Sequence, residues 1–249
     1  MSLVKPAIVT IGNFDGVHLG HQQLVRQVID RARSLGLCSF AITFDPHPER
    51  VLVPERKLTF LSTAEERRAI LLETGIDSVW ICPFTRELSH LEPEDFMRLV
   101  TDRQPIAELW VGADFALGRG RKGTIAVLAE IGAASGWALH MVPPHMLEGQ
   151  VVSSTAIRTL LAAGAVRGAA DLLGRNYTVS GELVGQELVV DPQRALPRAG
   201  IAYEGQLQLA DQTIDVPVTV GPTPGHVEFA KPIPEAEGEA RLTFVRRAD

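Results

Sequence analysis

Through residue 174 the chain alternates between two textures. Short runs of apolar, β-branched residues, Ala7–Ile11, Leu37–Phe44, Val79–Phe84, Glu108–Gly112 and Ala138–Val142, have the length and composition of buried strands. Between them, apolar residues fall three and four apart, as on one face of a helix. Leu24, Val28, Ala32 and Leu35 form such a stripe, which predicts a helix starting just after His21 and ending at Gly36. Ser62-Thr63-Ala64-Glu65 has the capping-box pattern and opens a helix through Arg67, Arg68, Ile70, Leu71 and Leu72 that Gly75 stops. Pro93–Arg103 and Thr124–Ser135 read as two more helices, and Ser153 or Ser154 caps another that runs to Ala163. Strands and helices in alternation predict an α/β domain built on a parallel sheet with helices on both faces. From Tyr177 the helical period is gone. Runs at Tyr177–Val184, Ile201–Leu209, Thr213–Val220 and Arg241–Val245, separated by Gly, Pro and Asp clusters, predict a small all-β domain, a barrel or a sandwich, with 231–239 as a flexible loop. The expected domains are therefore 1–174 and 175–249.

Composition changes this picture little. A chain of 249 residues is long enough for one large domain or two, and 45% apolar with 22% charged residues is ordinary for a globular protein. The net charge of −6 argues against non-specific binding to nucleic acid. No basic-then-apolar leader precedes the first strand and no apolar run approaches membrane-spanning length, so a cytoplasmic protein with no membrane partner is expected. Cys38 and Cys82 stand apart inside strand-like runs and are expected as buried, reduced thiols.

The candidate chemistry sits where strands give way to loops. Gly12-Asn13-Phe14-Asp15-Gly16-Val17-His18-Leu19-Gly20-His21 joins the first strand to the first helix, whose unpaired N–H groups and positive dipole end suit a phosphate. Two imidazoles three residues apart at a helix start project to one side and can both donate to one anion. Two alternatives stay open here: ordinary polar loop residues, or two zinc ligands awaiting a third. Asp45-Pro46-His47-Pro48-Glu49, stiffened by its prolines, lies at the carboxyl end of the second strand and on the same sheet edge; His47 is either part of a site or a solvated loop residue. Gly112 to Thr124 carries four glycines and three cations, Arg119, Arg121 and Lys122, and reads as a wrap for a polyanion or as a solvated basic turn. Ser153-Ser154-Thr155-Ala156-Ile157-Arg158 is a capped helix start with spare hydroxyls and an arginine one turn in, able to serve as a second anion site.

Taken together, Gly12 to His21, Thr43-Phe44-Asp45-Pro46-His47-Pro48, Val111-Gly112-Ala113-Asp114-Phe115 through Gly123, and Ser153 to Arg158 resemble, in order and spacing, the prokaryotic bifunctional riboflavin kinase/FAD synthetases. The likeness is close over the first domain. It implies a Rossmann-like nucleotidyltransferase domain of the H-x-G-H type, an FMN adenylyltransferase, followed by a small all-β barrel-like domain. By that resemblance His18, His21 and Arg158 act on the ATP phosphates, with the Ser153 to Arg158 segment opposite the histidines. Gly12, Asn13, Phe14, Gly20, Gly112, Asp114, Ser153, Ser154 and Thr155 would bind ATP, and Asp15, Phe44, Asp45, Pro46, His47, Phe115 and Arg121 would seat FMN. Mg2+ would accompany ATP, and FAD would be the product.

The second domain is similar to the family's riboflavin kinase barrel only in outline, at Leu172 to Gly181 and Leu196 to Ile201. Where that kinase carries a Gly-x-Pro-Thr-Ala-Asn segment that holds metal and phosphates, this chain has Leu188-Val189-Val190-Asp191-Pro192-Gln193-Arg194. Gly221-Pro222-Thr223 corresponds by position to a later segment without catalytic duty. The Asn-x-Gly and glutamate-base region and the C-terminal helix of the kinase have no recognisable counterpart before Asp249. The expectation is FAD synthesis without riboflavin kinase activity. Its competitors are an H-x-G-H enzyme for another phosphorylated acceptor, such as a pantetheine or pyridine mononucleotide, and a non-catalytic flavin- or nucleotide-binding regulator.

Overall fold

The structure, a computed structural model, describes residues 5–210, 212–233 and 238–248. The chain divides into two compact units, Met1–Arg56 with Thr63–Met146, and Lys57–Ser62 with Leu147–Asp249. The expected boundary at 174 thus falls inside the second unit, after its two helices.

In the first unit the elements run β1 (Ala7–Ile11), α1 (Leu19–Leu35), β2 (Cys38–Asp45), α2 (Pro48–Leu52), α3 (Ala64–Glu73), β3 (Ser78–Pro83), α4 (Arg86–Ser89), α5 (Pro93–Arg103), β4 (Ile106–Gly112), α6 (Ile125–Ser135) and β5 (Ala138–Val142). The five strands form a parallel sheet in the order β3-β2-β1-β4-β5. All five side chains of β1 are buried, as a central strand covered on both faces requires. One face of the sheet, with Ile8 and Ala41, packs against Leu24, Val25 and Val28 of α1 and Leu71 of α3. Across the other, Val9, Ile11, Ile42 and Leu109 meet Phe96, Met97 and Val100 of α5 and Leu128 of α6. This is a Rossmann-like arrangement. Its strand order reverses at β1, between β2 and β4, and such a switch point opens a crevice at the carboxyl ends of the strands.

Three local expectations are corrected. The first helix begins at Leu19 rather than after His21, because His18 takes the cap position and its Nδ1 accepts from the His21 N–H at 3.4 Å. The capping box is one residue later than its pattern suggested: Thr63 accepts from Glu66 N–H while the Glu66 carboxylate accepts from Thr63 N–H. Cys38 is exposed, since it is the first residue of β2 and precedes the buried run; Cys82 is buried as expected.

In the second unit, after a hairpin of two-residue strands β6 (Met146–Leu147) and β7 (Gln150–Val151), come α7 (Ser154–Ala162) and α8 (Val166–Leu173). Six antiparallel strands follow: β8 (Tyr177–Val184), β9 (Glu187–Val189), β10 (Ala202–Gln208), β11 (Thr213–Val220), β12 (His226–Phe229) and β13 (Gly238–Arg247). They close into a barrel in the order β10-β11-β12-β9-β8-β13, filled by Val179, Tyr203, Leu207, Val218, Leu242 and Phe244 among others. Closure leaves no free strand edge. The sequence missed β9 and β12, which at three and four residues are too short for alternation to register. Part of the loop expected at 231–239 lies outside the described residues, and Gly238 and Glu239 are already in β13. Lys57–Ser62 joins this unit through Phe60, whose N–H donates to Gln193 O at 2.8 Å and whose carbonyl accepts from Ala195 N–H at 2.9 Å.

Candidate nucleotide-binding site

The loop after β1 is shaped by buried apolar anchors. Phe14 and Val17, 1% and 0% exposed, sit at φ 48° and 41°, in the left-handed region that side chains other than glycine rarely occupy and that is hardest on a β-branched valine. Burial in the α1-side core holds them there. The Val17 N–H donates to Phe14 O at 2.8 Å and the Val17 carbonyl accepts from the Gln22 side chain at 2.9 Å. β2 fixes the loop from the side: Gly12 N–H donates to Ile42 O, and Thr43 Oγ1 to Asn13 O, both at 3.0 Å. A Cβ at Gly12 would stand 3.1 Å from the Phe14 ring, a tight contact that the ring would have to yield to.

On this base the two histidines come together as expected. Their rings stack with centroids 3.6 Å apart and planes 18° off parallel, and the edge of the Phe14–His21 pair closes at 5.2 Å. His18 is 6% exposed, and His21 Nδ1 is buried with no hydrogen-bond partner among the described residues. Burial first, then the charges of His18 and Arg67, hold the His21 pKa well below the usual histidine range, so the ring is neutral at pH 7. The arrangement offers neutral imidazole and helix N–H groups to an anion.

Arg67 is a residue that sequence reasoning passed over. From α3 its Nη2 donates to the Phe44 carbonyl at 2.6 Å, and the side chain is 2% exposed. A signal was present: Arg67 lies four residues before Leu71, on the face that packs into the core.

The second loop starts from the end of β2. Phe44 points its ring into the α5-side core, edge-on to Phe84 at 5.6 Å, so only its backbone faces outward. Asp45 and Pro46 are exposed. His47 is 8% exposed, which removes the solvated alternative; it caps α2, with Nδ1 accepting from Glu49 N–H at 3.3 Å. Asp15 is buried, while Asn13 is exposed. Phe14, like Phe44, is a core side chain.

Gly112 ends β4 on the other side of the switch, and Asp114 and Arg121 are exposed with Phe115 half-buried. The basic turn is held by the protein itself. Lys122 and Arg119 reach Glu92 at 2.9 Å and 3.8 Å, and Arg121 Nη2 donates to Asp114 O at 2.9 Å. In the second unit Ser153 caps α7, its Oγ accepting from Ala156 N–H at 3.2 Å, and Arg158 donates to Thr155 Oγ1 at 3.4 Å. Thr155 is exposed and Ser154, like Gly20 in α1, is half-buried. The structure therefore brings the loops after β1, β2 and β4 to one sheet edge in the first unit, and sets the Ser153 to Arg158 segment at a helix start in the second.

Comparison with known proteins gives this edge a family. The family described as FAD synthetase matches residues 2–156. A bifunctional riboflavin kinase/FMN adenylyltransferase of Pseudomonas fluorescens is 35% identical over 186 residues, 74% of this chain and 60% of that protein. The protein of the same description from Escherichia coli (strain K12) is 32% identical over 183 residues, 73% of this chain and 58% of that one. A putative bifunctional riboflavin kinase/FMN adenylyltransferase of Geobacillus thermodenitrificans is 36% identical over 169 residues, 68% of this chain and 89% of that protein. The chain spans less than two thirds of the length of the first two. Among solved structures, one described as a macrolide-efflux protein from Streptococcus pneumoniae superposes with a TM-score of 0.84 at 23% identity, covering 98% of this chain and 86% of that one, a likeness of fold. With more than half of its length matched, this chain belongs to the FAD synthetase family.

Proposed function

We propose that this protein transfers the adenylyl group of ATP to FMN, giving FAD and pyrophosphate, and does not phosphorylate riboflavin. The observation that carries the reading is the stacked His18–His21 pair at the start of α1, beside the switch point of the sheet. An oxygen of the FMN phosphate attacks the α-phosphorus of ATP, the bond from that phosphorus to the bridging oxygen breaks, and pyrophosphate leaves. The nucleophile is anionic at neutral pH, so positioning and charge stabilisation suffice and no base is required. His18, His21 and the α1 N-terminus serve the triphosphate. Gly12, Asn13, Gly112 and Asp114 line the adenosine side, and Asp45, Pro46, His47 and Phe115 the flavin side.

The donors on this edge are ring nitrogens, N–H groups and guanidinium, which suit phosphate oxygens better than a hard cation. No group of three or more His, Cys, Asp or Glu side chains able to hold a metal occurs among the described residues. Magnesium enters with ATP, as part of the substrate. The reaction belongs in the cytoplasm, where these nucleotides are; among the described residues no helix is long and apolar enough to cross a membrane.

The loss of kinase activity rests on residues 188–194. Leu188 and Val189 lie in β9, and Arg194, 6% exposed, donates to Tyr177 Oη at 3.1 Å and Thr178 O at 2.8 Å. Asp191 Oδ1 accepts from Gln193 N–H at 2.8 Å. These groups tie the barrel together and offer no Thr–Asn pair for a metal-bound phosphate.

Incubating the purified protein with ATP, Mg2+ and either FMN or riboflavin, then separating the flavins by chromatography, tests both halves. FAD is expected from FMN, riboflavin is expected unchanged, and His21→Ala is expected to slow FAD formation by about a hundredfold or more. Riboflavin turning into FMN would overturn the second half, and a near-full rate in His21→Ala the role of the histidine. FMN bound but unchanged would point to a regulator instead.

A further inference from the structure

Arg67 heads the fully buried side chains by size, yet the reaction scheme above gives it no part. Burying a guanidinium is costly, and it cannot shed its proton to escape that cost. Its contacts lead into the site. Nη2 holds the Phe44 carbonyl at 2.6 Å, and Phe44 is the residue before the Asp45–His47 loop. One residue back, the Thr43 hydroxyl holds the Asn13 carbonyl at 3.0 Å, and Ile42 O takes the Gly12 N–H at 3.0 Å. The two loops that flank β1 and β2 therefore rest on three successive residues of β2, and Arg67 secures the last of them from α3.

We propose that Arg67 is a positioning residue for adenylyl transfer: from α3 it fixes the end of β2 through the Phe44 carbonyl, and with it both loops. The proposal rests on the reading of His18 and His21 as phosphate-binding. His21 meets Phe14 from the loop and His18 from the cap of its own helix; His18 and Arg67 are the titratable or charged groups whose fields reach it among the described residues. Both oppose a proton on His21, which keeps it a neutral hydrogen-bonding ring until a polyanion arrives.

Arg67→Lys and Arg67→Gln separate charge from shape, since each retains a donor for the Phe44 carbonyl and only Lys retains the charge. The readouts are the titration of His21 by NMR on the ligand-free protein and the pH profile of kcat/KM for FAD formation. Arg67→Gln is expected to raise the pH at which His21 titrates, to move the acid limb of the profile the same way, and to lower kcat/KM by about tenfold or more. Arg67→Lys is expected to leave the titration and acid limb where they are in the native protein while lowering kcat at least about threefold, because an ammonium cannot reproduce the planar fork. A folded Arg67→Gln protein with native kcat/KM overturns the proposal. Should Gln prevent folding, Arg67→Lys decides: native kcat and KM together overturn it. The titration requires no turnover, so a His21 shift in a protein that makes no FAD would sink the adenylyl-transfer reading and leave the placement of charge standing.

Discussion

His18 does two jobs that its neighbours in sequence do not announce. Its Nδ1 accepts from the His21 N–H, while its ring face covers His21 at 3.6 Å. The strand, loop and helix around the pair were legible from Ala7 to Gly36; the cap was not, because it depends on His18 lying at φ −71° and ψ 172°, a backbone state any residue can adopt. The same limit explains Arg67, whose burial is set by how α3 lies on the sheet. The cysteines give a residue-scale prediction. Cys82 is buried and its thiol is pushed up to about 11 by burial, whereas Cys38 is exposed at the strand start. A thiol reacts as its thiolate and only where reagent can reach it. Titration with a chromogenic disulfide near pH 8 is expected to modify one thiol per folded chain, Cys38, with Cys82 reacting only on unfolding. Loss of that fast phase in Cys38→Ser checks the assignment, and a fast phase that survives contradicts it.

At the scale of elements, strand and helix type was readable wherever a run spanned nine residues of helix or five of strand, as in Pro93–Arg103 and Ala138–Val142, which the structure reproduces to the residue; the eight residues of α8 were missed. Short pieces defined by distant partners were not: β9 exists because it pairs with both β12 and β8. Two helical glycines show how packing decides the sign of a change that propensity alone would make favourable. Alanine is worth about 1 kcal/mol over glycine inside a helix. At Gly168 in α8 an added Cβ would meet Leu160 at 3.4 Å, an ordinary contact, so Gly168→Ala is expected to stabilise by about 0.5–1 kcal/mol. At Gly132 in α6 the same atom would come within 2.6 Å of both the ring and the backbone carbonyl of Trp137. A carbonyl cannot swing aside as a side-chain tip can. Overpacking of about 1–3 kcal/mol outweighs the propensity gain, and Gly132→Ala is expected to lower stability. Urea unfolding of both variants tests the pair; a stabilised Gly132→Ala would show that α6 can shift away from Trp137.

The whole molecule sums these local states in its dependence on pH. Below pH 8 a histidine and several carboxylates are the displaced groups that act, in different windows. His21 has its pKa well below its ordinary 6.5 in the folded chain, so between that depressed value and 6.5 the unfolded chain binds more protons than the folded one. Stability therefore rises with pH through this window, is fully present above it, and is lost as acid protonates the unfolded state. The carboxylates work the same way at lower pH. Asp77, whose Oδ2 accepts from Ser39 N–H at 2.8 Å and Ser39 Oγ at 2.7 Å, is held below its ordinary 3.8 by those bonds. Glu108, with two donors of Arg31 and the Trp110 Nε1–H on its oxygens, is held below 4.5, chiefly by Arg31. Each contributes stability above its ordinary pKa that falls away as pH drops through the folded one. The expected curve is flat from pH 8 to about 7, declines as pH falls below about 6.5, and declines more steeply below about pH 4.5. His21→Gln is expected to remove the first decline and keep the second, because glutamine cannot titrate while Asp77 and Glu108 are untouched. Urea midpoints measured at half-unit steps from pH 8 to 4 decide it. Parallel curves for the native protein and His21→Gln below pH 6.5 would mean that His21 titrates alike in both states, and the neutral imidazole at the head of α1 would have to be given up.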